Sequence, residues 1–157
     1  MRKIWVLRGI IVGMIIIIAI AILALPKPLP VKITSMSVMV NAENFDFDQE
    51  QKSGLKIRIL LKDNKDKNVY VRGEVRHKIY ELSDNREGNL IFDTDWYGAG
   101  IKLTTDDLKF MAEDRRSLVV FFDDMKPSSY NFGILYLTFT TNGRTFEAKQ
   151  VVPIKSI

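Results

Sequence analysis

The sequence has no cysteine and a single histidine, His77. Without cysteine there is no disulfide, no thiolate zinc site, no thiol nucleophile and no attachment point for a bacterial-type lipid anchor. With one histidine there is no imidazole pair and no spare base for a Ser-His-Asp arrangement. No phosphate-binding loop, dinucleotide fingerprint or nucleophile elbow is present either. The chain is therefore expected to be non-enzymatic and to need no cofactor. Proline is scarce at 5 residues, yet three of them, Pro26, Pro28 and Pro30, fall together at alternate positions.

No nucleic-acid partner is expected, although the net charge is +4 and the pI about 9.3. Of the 23 basic residues, Arg2, Lys3, Arg8 and Lys27 precede Val31, where no acid is found, which leaves 19 basic against 19 acidic residues in 31–157. The body of the chain is neutral, which disfavours a basic nucleic-acid-binding face. The excess sits beside an apolar run, where positive charge acts as a topology signal.

That run is the one place where apolar residues crowd. Gly9 to Leu25 is 17 residues without a charge, and moving back past Arg8 adds Ile4 to Leu7. A spanning helix needs about 20 apolar residues, whereas the core of a cleaved signal is about 7 to 15. Residues 1–25 are expected to be a signal anchor, entering the lipid bilayer through residues 4–25. Arg8 can snorkel to the headgroups and Trp5 suits the same interface. Positive-inside orientation puts the N-terminus in the cytoplasm and residues 31–157 outside, so the protein is expected to be a single-pass protein of the cell membrane. Two other readings stay open. Ala19-Ile20-Ala21 offers a signal-peptidase pattern, although Pro26 follows closely. Arg8-Gly9-Ile10-Ile11 is similar to an archaeal prepilin cleavage site, although the leader before it is apolar. Residues 26–30, PKPLP, form a polyproline spacer reaching only about 15 Å.

Residues 31–157 read as one all-β domain. Leu55, Ile57, Ile59 and Leu61 alternate with Lys56, Arg58 and Lys62, the period of a half-buried strand. After the polar turn DNKDKN, Val69, Val71, Val75 and Ile79 face one way and Tyr70, Arg72, Glu74, Arg76, Lys78 and Tyr80 the other. The two runs predict a hairpin. DNREGN turns into a fourth strand, NLIFDTDW. LVVFF, Leu118 to Phe122, is apolar on both faces and predicts a central strand. Asn142-Gly143 joins the last two strands in a type I′ turn. Val31 to Val40 forms the first strand. TTDDLKFMAED predicts one short helix capped by Thr104 or Thr105. The sum is about seven strands and one helix: an immunoglobulin- or fibronectin-like antiparallel sandwich, with a partly open barrel as the alternative.

The segments GLKIRILLKDNKDKNVYVRGEVRHKIYEL, SLVVFFDD and YNFGILYLTFTTNGRTFEA together resemble exported or membrane-anchored β-sandwich proteins of archaea. The resemblance implies fold and location, and no functional residue with it.

Candidate binding residues concentrate in DTDWYGAG. Asp93 and Asp95 precede Trp96 and Tyr97, beside two glycines. Aromatics exposed on a loop suit contact with protein, peptide or sugar; the same pattern also fits a core tryptophan under a bend. Acids recur in other turns, at Asp46 and Asp48, Asp63 and Asp66, and Asp123 and Asp124. They could converge on Ca²⁺ or simply be solvated turn residues. By alternation His77 lies on the core face with Val75 and Ile79, either as a buried pH switch or as a half-buried residue bonded to a carbonyl or water. Three functions follow from these readings: an interaction or structural module of the cell envelope, contacting another envelope protein or its own copies; a pilin-like filament subunit cut after Gly9; and a carbohydrate- or Ca-binding module.

Overall fold

In the computed structural model, residues 31–47, 50–113 and 117–155 are described, the side chain of Phe47 excepted. The chain divides into two units between Pro30 and Val31. The membrane-anchor, spacer and cleavage readings all fall on residues 1–30 and lie outside the described residues. Among the described residues no helix is long and apolar enough to cross a membrane.

The described residues form two antiparallel sheets. The first pairs β1 (Ile33–Phe47) with β2 (Glu50–Asp63). The far edge of β2 is shared by β3 (Asn68–Val69) at one end and β7 (Leu118–Phe121) at the other. The second sheet runs β5 (Arg86–Asp93), β4 (Gly73–Ser83), β8 (Phe132–Thr141), β9 (Arg144–Pro153), with β6 (Ile101–Leu103) on the same edge of β4 as β5. Each sheet thus has one long strand with two short strands sharing an edge.

The inward rows are those that alternation selects. Leu55, Ile57, Ile59 and Leu61 from β2 meet Val75 and Ile79 from β4 and Leu135, Leu137 and Phe139 from β8, all buried. Each such side chain contributes about 1.5–3 kcal/mol on leaving water. The helix α1 (Thr105–Ala112) buries Leu108 and Met111, and Thr104 caps it in a reciprocal box with Asp107. At the last hairpin Asn142 and Gly143 both have positive φ, 47° and 72°, as a type I′ turn requires.

Three expectations need correction. Nine strands are described where about seven were expected. The run 69–82 is not one strand: β3 pairs with β2 for two residues, Tyr70–Arg72 cross between the sheets, and β4 joins the other sheet. The crossing depends on Gly73. A Cβ there would overlap the buried Phe139 ring and lie 2.7 Å from the Thr140 carbonyl oxygen, so only glycine lets β4 enter beside β8. The remaining extra strand is β6, at three residues too short to carry a period. Finally, LVVFF is not central: among the described residues β7 pairs only with β2, and it leaves Val119 40% exposed. Its outward apolar residues cover local features instead, as where Phe121 packs edge-on against Phe45 at 5.9 Å.

Candidate functional site

The site arises where β5 stops. Pairing of β5 with β4 proceeds to Lys78↔Asp93 and then ends, while β6 resumes on the same edge at Val75↔Ile101. The chain between leaves the sheet as a 3-10 turn, Thr94–Tyr97, capped by the Asp93 carboxylate accepting the Asp95 N–H at 2.9 Å. It returns through Gly98 and Gly100 at φ 133° and 84°. A side chain at Gly100 would be strained in φ and would also meet Glu74 Oε1 at 2.8 Å.

At the ladder position where a backbone pair would continue, a side chain substitutes. Thr94 Oγ1 accepts the His77 backbone N–H at 2.9 Å and donates to the His77 carbonyl at 2.8 Å. The same oxygen lies 2.8 Å from His77 Nδ1. Thr94 is buried, so these contacts replace water for two backbone groups and one ring nitrogen. Thr94→Val should therefore cost about 1–3 kcal/mol, the penalty for stranding buried polar groups. A urea midpoint unchanged from wild type would refute that role.

The four residues singled out from the sequence do come together. Asp93 is buried and meets the Lys78 ammonium at 3.0 Å. Burial pushes its pKa up, but the Asp95 N–H and Lys78 outweigh this and hold it below the ordinary value. Lys78 is raised in turn by its bond to Asp93. Asp95 lies 3.4 Å from Arg76 Nη1, while Arg76 Nε donates to Glu74 at 2.8 Å. The two acids thus hold the loop onto the outer face of β4. The row Glu74, Arg76, Lys78 is a ladder of charge pairs, and Tyr70 and Arg72 lie off it in the crossing segment.

Trp96 and Tyr97 are not tucked under a bend. They are 43% and 67% exposed, and the buried aromatic of this segment is Phe92. Phe92 stacks on His77 at 5.2 Å and on Tyr97 at 5.9 Å. Trp96 lies 6.1 Å from the Phe92 ring, with the Lys126 ammonium 4.5 Å over its own.

Beneath the loop is a pocket of about 240 Å³. His77, Phe92 and Thr94 line its buried part, and Tyr97, Ile101 and Val119 its exposed rim. His77 is 3% exposed, and its Nε2 has no hydrogen-bond partner among the described residues. Burial drives the ring's pKa down to about 4 against a small opposing pull from the Asp93 charge, so the ring is neutral at pH 7. The sequence places His77 on the core face. Its link to Thr94 was not legible there, because it depends on where β5 ends.

A larger open cleft of about 620 Å³ lies elsewhere, lined by Lys52, Asp123, Lys126 and Lys155 among others. Its charged side chains are exposed or half-buried and already solvated, so the smaller pocket, with buried His77, Phe92 and Thr94 in its lining and exposed Tyr97 at its rim, is the better candidate. Among the described residues no three His, Asp or Glu side chains gather as a metal site. The acidic turns hold themselves together instead: Asp63 accepts from the N–H groups of Lys65 and Lys67 at 2.8 and 3.0 Å, and Asp66 pairs with Lys62.

Comparisons with protein-family models, with curated proteins and with solved structures return no match.

Proposed function

We propose that the protein is a non-enzymatic, membrane-anchored β-sandwich of the cell envelope, which contacts another envelope protein, or its own copies, through the 93–100 loop. The observation that carries this reading is the exposure of Trp96 and Tyr97 beside a pocket whose rim adds Ile101 and Val119. Aromatic side chains around a depression are the usual energetic centre of a protein contact. The apolar run and its basic flank support the anchor, with the N-terminus cytoplasmic and the sandwich outside. The strand orders β1-β2-β7 and β9-β8-β4-β5 support the immunoglobulin- or fibronectin-like type, in which a three-strand sheet faces one with the added C′ strand.

The other two readings have less behind them. The Lys126 ammonium covers one face of the Trp96 ring, which weakens it as a stacking platform for sugar. The Ca reading gains nothing from aspartates already engaged in their own turns.

The test is to isolate the native protein from membranes, determine its N-terminus, and crosslink it in cells. An intact Met1 or Arg2 in the membrane fraction supports the anchor; a start at Ile10 supports a pilin-like subunit instead. A chain that stays monomeric under crosslinking and binds nothing from membrane extract contradicts the interaction reading.

A further inference from the structure

The last hairpin fixes which backbone groups of β9 are already used. A two-residue type I′ turn makes its flanking residues, Thr141 and Arg144, a hydrogen-bonded pair. Bonded and non-bonded pairs then alternate along the ladder. Phe139↔Phe146, Leu137↔Ala148 and Leu135↔Gln150 are therefore bonded, and Ile154 keeps the parity by donating to the Asn131 carbonyl at 3.0 Å. The N–H and C=O groups of Thr145, Glu147, Lys149 and Val151 point the other way, to the outer edge of the sheet. Among the described residues β9 pairs only with β8, so no strand takes up this row. Pro153, which has no N–H, holds the next outward position and ends the row. At the opposite end the Arg144 guanidinium reaches the Ile33 carbonyl of β1 at 3.2 Å, through its side chain and not through the row.

The side chains of the same four residues are exposed, Val151 at 56%. The Lys149 ammonium lies 4.8 Å over the Tyr136 ring, on the outer face of the sheet. A lysine on an edge strand ordinarily deters a second strand. Here a glutamate stands two residues before it, so a reversed copy of β9 supplies the opposite charge. Three antiparallel registers keep most of the strand paired and bring its outward backbone groups together. Centred on Glu147, the pairing sets glutamate against glutamate. Centred on Lys149, it sets lysine against lysine. Centred on Ala148, it sets Glu147 against Lys149 twice and Thr145 against Val151 twice. Opposite charges directly across a ladder stabilise and like charges destabilise, so only the third register is favoured.

We propose that two copies of this chain pair β9 to β9, antiparallel about Ala148, with Glu147 of each copy facing Lys149 of the other. The four outward residues of each strand then exchange backbone hydrogen bonds with the other copy. The second sheet becomes continuous through both molecules. The 93–100 loop lies at the far edge, beyond β4, so this pairing neither uses it nor rests on its reading as a contact surface.

The test measures self-association of the full chain in a non-ionic detergent by analytical ultracentrifugation. Wild type should be a dimer. Glu147→Lys and Lys149→Glu should each weaken it about tenfold or more, because symmetry turns two attractive pairs into two repulsive ones. An equimolar mixture of these two variants should form a heterodimer about as tight as wild type, and the chain carrying both substitutions should dimerise normally. The native chain has no cysteine, so engineered thiols report the register directly. Mild oxidation should link Ala148→Cys to itself, since residues directly opposite in a non-bonded pair lie within disulfide reach. Thr145→Cys should not link to itself, because it faces Val151. Far-UV circular dichroism checks that each variant folds, and the charge variants decide the matter if Ala148→Cys does not. A chain that stays monomeric at its highest soluble concentration overturns the proposal. So does a dimer indifferent to the charge substitutions, which would lie on another surface, and so does Thr145→Cys linking as readily as Ala148→Cys.

Discussion

Acidifying the protein from pH 7 to pH 4 should remove about 3 kcal/mol of folding stability through His77 alone. The ring is buried and neutral, with a pKa lowered from 6.5 to about 4. In the unfolded chain it takes up a proton near pH 6.5, so between these values the unfolded state binds more protons than the fold. The stability is fully present above pH 6.5 and falls as pH drops towards 4. At about 1.36 kcal/mol per pH unit, this window gives the stated loss. Carboxylates do not mimic it. Asp63 is held low by the Lys67 and Lys65 N–H groups, and Glu81 chiefly by Ser128. Stability linked to lowered carboxyls is lost only as pH falls through their depressed values. Urea midpoints between pH 7 and 4.5 should therefore decline in wild type and stay nearly level in His77→Phe. A flat wild-type profile contradicts a buried, neutral His77.

Phe139→Ala should be at least as damaging, costing about 3–5 kcal/mol, the range for emptying an aromatic site in a core. Phe139 has no exposed surface and its ring occupies the space that a side chain at Gly73 would need. The two positions are therefore coupled. Gly73→Ala should cost about 1–3 kcal/mol by overpacking. In a Phe139→Leu background, where the ring is gone, the same substitution should cost clearly less. A double-mutant cycle in urea measures the difference. Additive costs would mean that the ring does not define the crossing between the sheets.

This coupling also explains why the crossing was not legible in the sequence. Leu55 to Leu61 could be read because one face of β2 is wet and the other dry. Val69, Val71, Val75 and Ile79 keep the same parity through the break, so alternation passes over it. What breaks the strand is a contact with a residue 66 positions further on, Phe139 against Gly73, and no local pattern contains that. LVVFF misled for a related reason. Apolar residues on both sides of a strand can mean a second covering layer, or a short edge strand whose outer side chains meet local neighbours such as Phe45. Turns and caps were the most legible, since Asn142-Gly143 and Thr104 carry their chemistry within a few residues.

The candidate site was legible in its exposed half. Asp93, Asp95, Trp96 and Tyr97 stand out by composition and lie together on one short turn. Its buried half was not, because Phe92 and Thr94 reach His77 only after β5 has paired with β4 and stopped.

The central proposal is that this loop is where the β-sandwich domain meets a partner. The most direct test puts a photo-crosslinking amino acid at position 97 of the full chain in intact cells, with position 65 in the exposed turn after β2 as the reference. A discrete adduct in the membrane fraction is expected from position 97, weakened by Trp96→Ala, and none from position 65. No adduct from 97, or the same adduct from both positions, would contradict it.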